Sequence, residues 1–284
     1  MTFEEKQTIT YQEVLQRASS FLVENKLEAM VAEWLLRERL AWTKTDLVMN
    51  YRKEMPVDQQ KQFKQDIDAF LSGKPVQQII GHEWFFDRKF MVEASTLIPR
   101  PETEEWLYKV LETLPKDPLT VLDIGTGTGI IGITHKLERP QDIVTATDIS
   151  AEALAVAQKN AEQLAAAVDY KLGDLFEPIN NQKYDVILSN PPYISQDERK
   201  VMDQSVLDFE PELALFAEKD GLEIYYRLAN DLQKHLNSGG CAFFEIGYKQ
   251  GTSVIKIFKE QLPTAKIELW QDFSGLDRVI AIYT

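Results

Sequence analysis

Thr120-Val121-Leu122-Asp123-Ile124-Gly125-Thr126-Gly127-Thr128-Gly129 decides the fold. A short β-rich run breaks into alternating glycines, and the apolar periodicity of residues 130–137 then resumes at helical spacing. Strand, glycine loop and helix in that order open a nucleotide-binding α/β unit. Glycine lets the backbone approach a ligand closely, and the first turn of the helix offers unpaired N–H groups. Residues 143–147 read as the next strand, with Asp148 at its end placed to accept from both hydroxyls of a ribose. Residues 168–172 are a third strand candidate, followed by Asp174, within reach of an adenine amino group. Gly127-x-Gly129-x-x-Gly132 also satisfies a dinucleotide-binding pattern. Charge separates the two cofactors. A dinucleotide brings a pyrophosphate to the loop, whereas S-adenosylmethionine brings a sulfonium and an ammonium, so Asp123 beside the glycines favours the second. Taken singly, Asp123 and Asp174 are as readily caps or turn formers.

Downstream, the apolar run 184–189 ends in Asn190-Pro191-Pro192-Tyr193. This order reads as a device for holding a planar NH2 group. A nitrogen conjugated to a carbonyl or a heteroaromatic ring is a poor nucleophile, because its lone pair is delocalised. If the Asn190 side-chain oxygen and the Pro191 carbonyl each accept one N–H, the nitrogen is fixed with its lone pair aimed at an electrophile. The prolines hold the loop's shape without substrate. Tyr193 is expected to pack on the substrate amide or near a cationic methyl donor. A Pro-Pro turn after a strand is also ordinary punctuation. The glycine loop, Asp148, Asp174 and Asn190 nevertheless all follow predicted strands, where open α/β sheets bind ligands, and that convergence favours one site.

With 284 residues the chain can bury a full core and carry a smaller second domain. Its net charge of −14 argues against a surface that gathers nucleic-acid phosphates. The single cysteine, Cys241, excludes an intrachain disulfide, and its neighbours Ala242-Phe243-Phe244 mark a buried structural thiol. His82, His135 and His235 lack ligand spacing, so neither a metal nor a histidine base is expected. The start, residues 1–6, is too polar for a signal peptide, and no apolar run approaches the ~20 residues of a membrane span. A cytoplasmic protein without a membrane partner is expected.

Organisation changes near residue 75. Residues 11–24, 29–39, 45–53 and 57–71 have helical periodicity, with Thr45 as an N-cap and Gly73 as a stop, and form a small bundle over 1–73. Residues 74–98 read as a hinge and a hairpin in which 83–86 and 89–92 flank Asp87-Arg88. From 99 to 284 helices and strands alternate, including a helix at 151–167 capped by Ser150, a helix at 222–236, and strands at 241–246, 266–270 and 278–283. This implies a mostly parallel sheet closed by an antiparallel pair. The stretch 98–104 is expected to cover the site, ordered by Arg100 and Glu102 as a charge pair or by contact with substrate.

Ile98-Pro99-Arg100-Pro101-Glu102-Thr103-Glu104, Leu122 through Gly129, Asp148, Gly173-Asp174-Leu175-Phe176, Ser189-Asn190-Pro191-Pro192-Tyr193 and Phe209-Glu210-Pro211 together resemble the peptide chain release factor glutamine methyltransferase family, over most of the chain. The glycine loop and the Asn-Pro-Pro-Tyr motif are shared with other amino methyltransferases; the Ile-Pro-Arg-Pro-Glu-Thr segment is narrower and carries the resemblance. It implies the α/β fold of class I S-adenosylmethionine-dependent methyltransferases, a Rossmann-like mostly parallel sheet behind a small N-terminal helical bundle. S-adenosylmethionine and its product S-adenosylhomocysteine would meet Asp123, Gly125, Thr126, Gly127, Thr128, Gly129, Asp148, Asp174, Leu175 and Asn190. Asn190, Pro191, Pro192 and Tyr193 would serve as catalytic and substrate-binding residues. In the family the position of Leu175 is often aromatic and lies against adenine, and Phe176 is expected to compensate in part. The substrate implied is the Gly-Gly-Gln glutamine of a class I peptide chain release factor, gripped by the helical domain, with no direct nucleic-acid partner. Three alternatives stay open. An adenine-N6 methyltransferase would use the same clamp, but with a basic track and a base-flipping element. A ribosomal-protein glutamine methyltransferase uses very similar motifs, and a noncatalytic binding module would have no need of an intact clamp.

Overall fold

The computed structural model describes residues 9–284, so the polar start at 1–6 and the first part of the 1–73 segment lie outside the described residues. The chain forms two compact units, one reaching to Gly81 and taking in Gln204–Phe209, the other made of His82–Asp203 and Glu210–Thr284.

The first unit is helical, with Tyr11–Glu24, Met30–Leu40, Lys44–Asn50, Val57–Leu71 and the short Val76–Ile80. Val14, Ala18 and Leu22 fall on one stripe and pack with Leu35, Leu36, Leu47, Phe63 and Ile67. Thr10 and Glu13 close a reciprocal cap on the first helix, and Thr43 and Asp46 do the same on the third. Thr45, expected as that cap, lies inside the helix instead, because Thr43 is the threonine with a carboxylate three residues on. Asp66 is buried in this core. Arg39 answers it with two parallel bonds of 2.8 Å, and the same guanidinium donates to the Ile79 carbonyl at 2.5 Å. Residues 76–80, expected within a hinge, are helical because Val76 and Ile79 bury in the same core. Gln204–Phe209 joins through a 2.7 Å bond from Gln78 Nε2 to the Phe209 carbonyl.

The second unit opens with a hairpin, His82–Phe85 against Arg88–Met91, turning at Phe86 and Asp87 with φ of +49° and +57°. The turn sits one residue before the expected Asp87-Arg88, and both of its residues take the left-handed backbone that a two-residue hairpin turn needs, which Asp87 tolerates. Seven strands form the main sheet: β1 Thr120–Ile124, β2 Ile143–Asp148, β3 Val168–Leu172, β4 Tyr184–Ser189, β5 Leu236–Glu245, β6 Lys266–Gln271 and β7 Asp277–Tyr283. Their order is β3-β2-β1-β4-β5-β7-β6. β1 to β5 pair in parallel, and β7 runs antiparallel between β5 and β6. Alternate residues serve opposite cores: Leu122, Ile187, Phe244 and Ile280 on one face, Val121, Val186, Phe243 and Val279 on the other. Burial on both faces is why these strands read as unbroken apolar runs. Cys241 on β5 is half-buried rather than fully buried, and desolvation pushes its thiol up to about 12, as an inert thiol requires. Strand order reverses between β1 and β4, so the loops after β1, β2 and β4 converge at one sheet edge. Among the described residues no helix is long and apolar enough to cross a membrane.

Candidate active site

At that edge lies a cleft of 410 Å³, within the range of small-molecule sites. Gly125, Thr126, Gly127 and Thr128 form one wall. Gly127 has a φ of +55°, a conformation that side chains resist, and its N–H donates to Asp148 Oδ2 at 2.9 Å. Gly129 does not line the cleft. A Cβ there would fall 2.6 Å from Ile133 Cδ1 and 3.2 Å from Ala157 Cβ, so this glycine serves the packing of Ile130–Glu138 on Ala151–Leu164. Asp123, expected as a ligand contact, is also off the wall. It is fully buried, its Oδ2 accepting from Thr126 Oγ1 at 2.6 Å and from the Gly132 N–H at 2.9 Å. Its Oδ1 is buried, and among the described residues it has no hydrogen-bond partner. Burial drives its carboxyl up to about 7 against the pull of those two bonds. An orphaned carboxylate oxygen beneath the loop suits a cationic ligand, since a phosphate there would meet like charge.

Asp148, at the end of β2, lines the cleft while its oxygens accept from Gly127 N and Ser150 N, both at 2.9 Å. The carboxylate keeps capacity to accept from a further donor. Burial raises this carboxyl's pKa too, opposed by those backbone bonds. Asp174 is on the wall in an ion pair of 2.6 Å with Arg227, which also lines the cleft. Leu175 faces the cleft from left-handed backbone, φ +47°. Phe176 does not compensate for it. That ring is buried and stacked on His235 with centroids 4.6 Å apart, so the aliphatic Leu175 is the wall at this point.

Opposite, Ser189 Oγ donates to the Ile124 carbonyl at 2.7 Å and ties β4 to β1 at their ends. Asn190, Pro191 and Pro192 follow on the cleft wall. Asn190 Nδ2 donates to Thr103 Oγ1 at 3.2 Å, Thr103 Oγ1 donates to Glu245 Oε2 at 2.6 Å, and the same Oε2 accepts from Trp106 Nε1 at 2.8 Å. Sequence motifs did not single out Glu245 or Trp106. A glutamate inside the apolar run Phe243-Phe244-Glu245-Ile246 was the available signal, because a carboxylate so placed must find donors. Tyr193 leaves the cleft: its half-buried ring packs on the core, and its carbonyl accepts from Gln250 Nε2 at 2.8 Å. Gly221 admits that approach, since a Cβ there would lie 2.0 Å from the Tyr193 carbonyl oxygen.

The 98–104 segment contributes Pro99, Arg100 and Thr103 to the wall. Arg100 pairs with the buried Glu210 at 2.5 Å rather than with Glu102, and Glu210 also accepts from the Ile98 N–H at 3.1 Å. Asn160 joins the hairpin to the glycine loop, accepting from Met91 N at 2.6 Å and donating to the Thr128 carbonyl at 2.9 Å. Among the described residues no group of His, Cys, Asp and Glu could hold a metal ion.

Residues 13–81 match the family described as PrmC N-terminal domain, and 108–208 the family described as Methyltransferase small domain. A release factor glutamine methyltransferase of Enterococcus faecalis is 41% identical over 269 residues, which is 95% of this chain and 97% of that one. The protein of the same description from Bacillus subtilis is 40% identical over 275 residues, covering 94% and 96%. The crystal structure of a methyltransferase from Pyrococcus furiosus aligns with a TM-score of 0.53 at 18% identity, over 76% of this chain and 96% of that one, a likeness of fold alone.

Proposed function

The chain belongs to the release factor glutamine methyltransferase family, and on that premise we propose that it methylates the side-chain amide nitrogen of the glutamine in the Gly-Gly-Gln loop of a class I peptide chain release factor. The observation that carries this reading is that Asn190, Pro191 and Pro192 share one cleft with the glycine loop, Asp148 and Leu175. S-adenosylmethionine, when bound, supplies a methyl group on a positively charged sulfur. The chain supplies position. Asp148 accepts from the ribose hydroxyls, Leu175 covers the adenine, and the loop glycines admit the amino-acid portion. Asn190 Oδ1 and the Pro191 carbonyl each accept one N–H of the glutamine amide, which holds its nitrogen in line with the methyl group. Pro192 fixes the turn. A nitrogen that has taken a methyl group is acidic and releases its proton to water, so the scheme needs no side-chain base. Tyr193 supports the loop from the core side. The orphaned Oδ1 of Asp123 supports a cationic rather than a phosphorylated cofactor.

The helical unit, by this reading, grips the folded release factor in the cytoplasm, and no nucleic acid is bound directly. Incubation of this protein with S-adenosylmethionine and purified release factor, followed by peptide mass spectrometry, tests the proposal. One added methyl on the Gly-Gly-Gln glutamine is expected. Methyl uptake by a ribosomal protein, DNA or RNA with none on release factor would replace it with one of the alternatives.

A further inference from the structure

We propose that Thr103, held by Glu245, is a positioning residue that fixes which way the Asn190 amide points. The inference rests on the reading of Asn190 as the acceptor for the substrate NH2. An asparagine side chain is nearly symmetric in shape and offers an oxygen on one side and an NH2 on the other. Turned the wrong way, it would oppose its own N–H bonds to those of the glutamine amide. Something must set its direction before substrate arrives.

The bonds behind Asn190 do so by a chain of one-way choices. The Trp106 indole can only donate, and it donates to Glu245 Oε2 at 2.8 Å. An ionised carboxylate can only accept, so the Thr103 hydroxyl hydrogen is also directed to Oε2, at 2.6 Å. That leaves Thr103 Oγ1 an acceptor towards the cleft, where it takes Asn190 Nδ2 at 3.2 Å. With the NH2 so engaged, Asn190 Oδ1 is the atom presented to substrate. Burial pushes the Glu245 carboxyl upward, while the bonds from Thr103 and Trp106 and the nearby Arg278 charge favour its ionised form. Each member stands on regular structure. Thr103 and Trp106 lie in the helix Pro101–Thr113 and Glu245 closes β5. The Glu245 carbonyl is itself held by Tyr225 Oη at 2.7 Å. Thr103 is fully buried, so its hydroxyl has no access to solvent as a substitute partner. This gives the Thr of the Ile-Pro-Arg-Pro-Glu-Thr segment a role that neither the glycine loop nor the Asn-Pro-Pro motif supplies.

The test is a double-mutant cycle in the full chain on intact release factor. Thr103→Val keeps the shape and removes the hydroxyl; Thr103→Ser restores it. Thr103→Val is expected to lower kcat about ten-fold, the worth of roughly one hydrogen bond, with KM and S-adenosylmethionine affinity unchanged. Thr103→Ser should recover most of the rate. Combined with Asn190→Ala, which alone lowers kcat further, Thr103→Val should add no further loss, because its effect passes through that amide. Full activity of Asn190→Ala would remove the Asn190 reading and this inference together. An inactive Asn190→Ala beside an active Thr103→Val would overturn the inference alone. So would a Thr103→Val loss that multiplies with that of Asn190→Ala, the mark of a merely structural role.

Discussion

Replacing Asp123 by asparagine should change how stability depends on pH more than it changes stability itself. The wild-type carboxyl has an ordinary value of 3.8 and is driven to about 7 in the fold by burial, opposed by its bonds from Thr126 and Gly132, with Asp148 nearby adding repulsion. Its folded pKa lies above its unfolded one, so the folded state binds the extra proton between these values and stability falls as pH rises through that window. Below the unfolded pKa the penalty is absent, and above about 7 it is complete. A gap of about three pH units is worth on the order of 4 kcal/mol. The side chain is fully buried, so solvent does not screen this penalty. The chain's pI of 4.8 makes acid titrations prone to precipitation, so the practical range is about pH 5.5 to 8.5. About half of the penalty, roughly 2 kcal/mol, develops within it. Asparagine keeps one oxygen for the Thr126 hydroxyl and the Gly132 N–H, both of which bond Oδ2. Its NH2 falls where Oδ1 has no partner among the described residues, a cost that does not vary with pH. The quantity to measure is therefore the mutant-minus-wild-type difference in urea unfolding free energy, without cofactor, at several pH values. It should move in favour of Asp123→Asn by about 2 kcal/mol across that range. A flat difference would refute the reasoning, since it would mean the carboxyl is solvated in a way that its burial does not allow.

Three other outcomes are expected. Isothermal titration should give saturable binding of S-adenosylmethionine and S-adenosylhomocysteine but not of NAD; the reverse pattern would overturn the cofactor assignment. Arg39→Met leaves the buried Asp66 carboxylate without its cation and should destabilise the helical unit by about 3 kcal/mol in urea, whereas Arg39→Met with Asp66→Leu should recover much of it. If the helical unit grips release factor, a short Gly-Gly-Gln peptide should show a kcat/KM far below that of the intact factor, because remote contacts no longer position the glutamine; equal values would leave that unit without a binding role.

Which parts of this site are legible in the chain follows from how far each depends on local geometry. β1, β2 and β4 are covered on both faces, so their runs of apolar residues are visible without any partner. The loops that follow them inherit their place at the sheet edge from strand order. Asp123 shows where local reasoning goes too far. The strand period of two puts it on the side opposite Ile124, and Ile124 is the residue that reaches the cleft. Proximity to the glycines suggested contact, while parity already assigned the carboxylate beneath them. Phe176 fails for a different reason. Leu175 takes left-handed backbone, which reverses the direction of successive side chains, and nothing in a non-glycine residue announces that conformation. The bonds behind Asn190 are the least legible, since Thr103 and Glu245 are 142 positions apart and meet only when the helix Pro101–Thr113 packs against the end of β5. Yet a trace of them is present. A carboxylate in the middle of Phe243-Phe244-Glu245-Ile246 cannot be left alone in a sheet buried on both faces, and its donors had to come from the side chains packed over that strand's end. The residue that looked misplaced in its strand is the one that holds the Thr103 hydroxyl, and on the proposed reading the direction of the Asn190 amide follows from it.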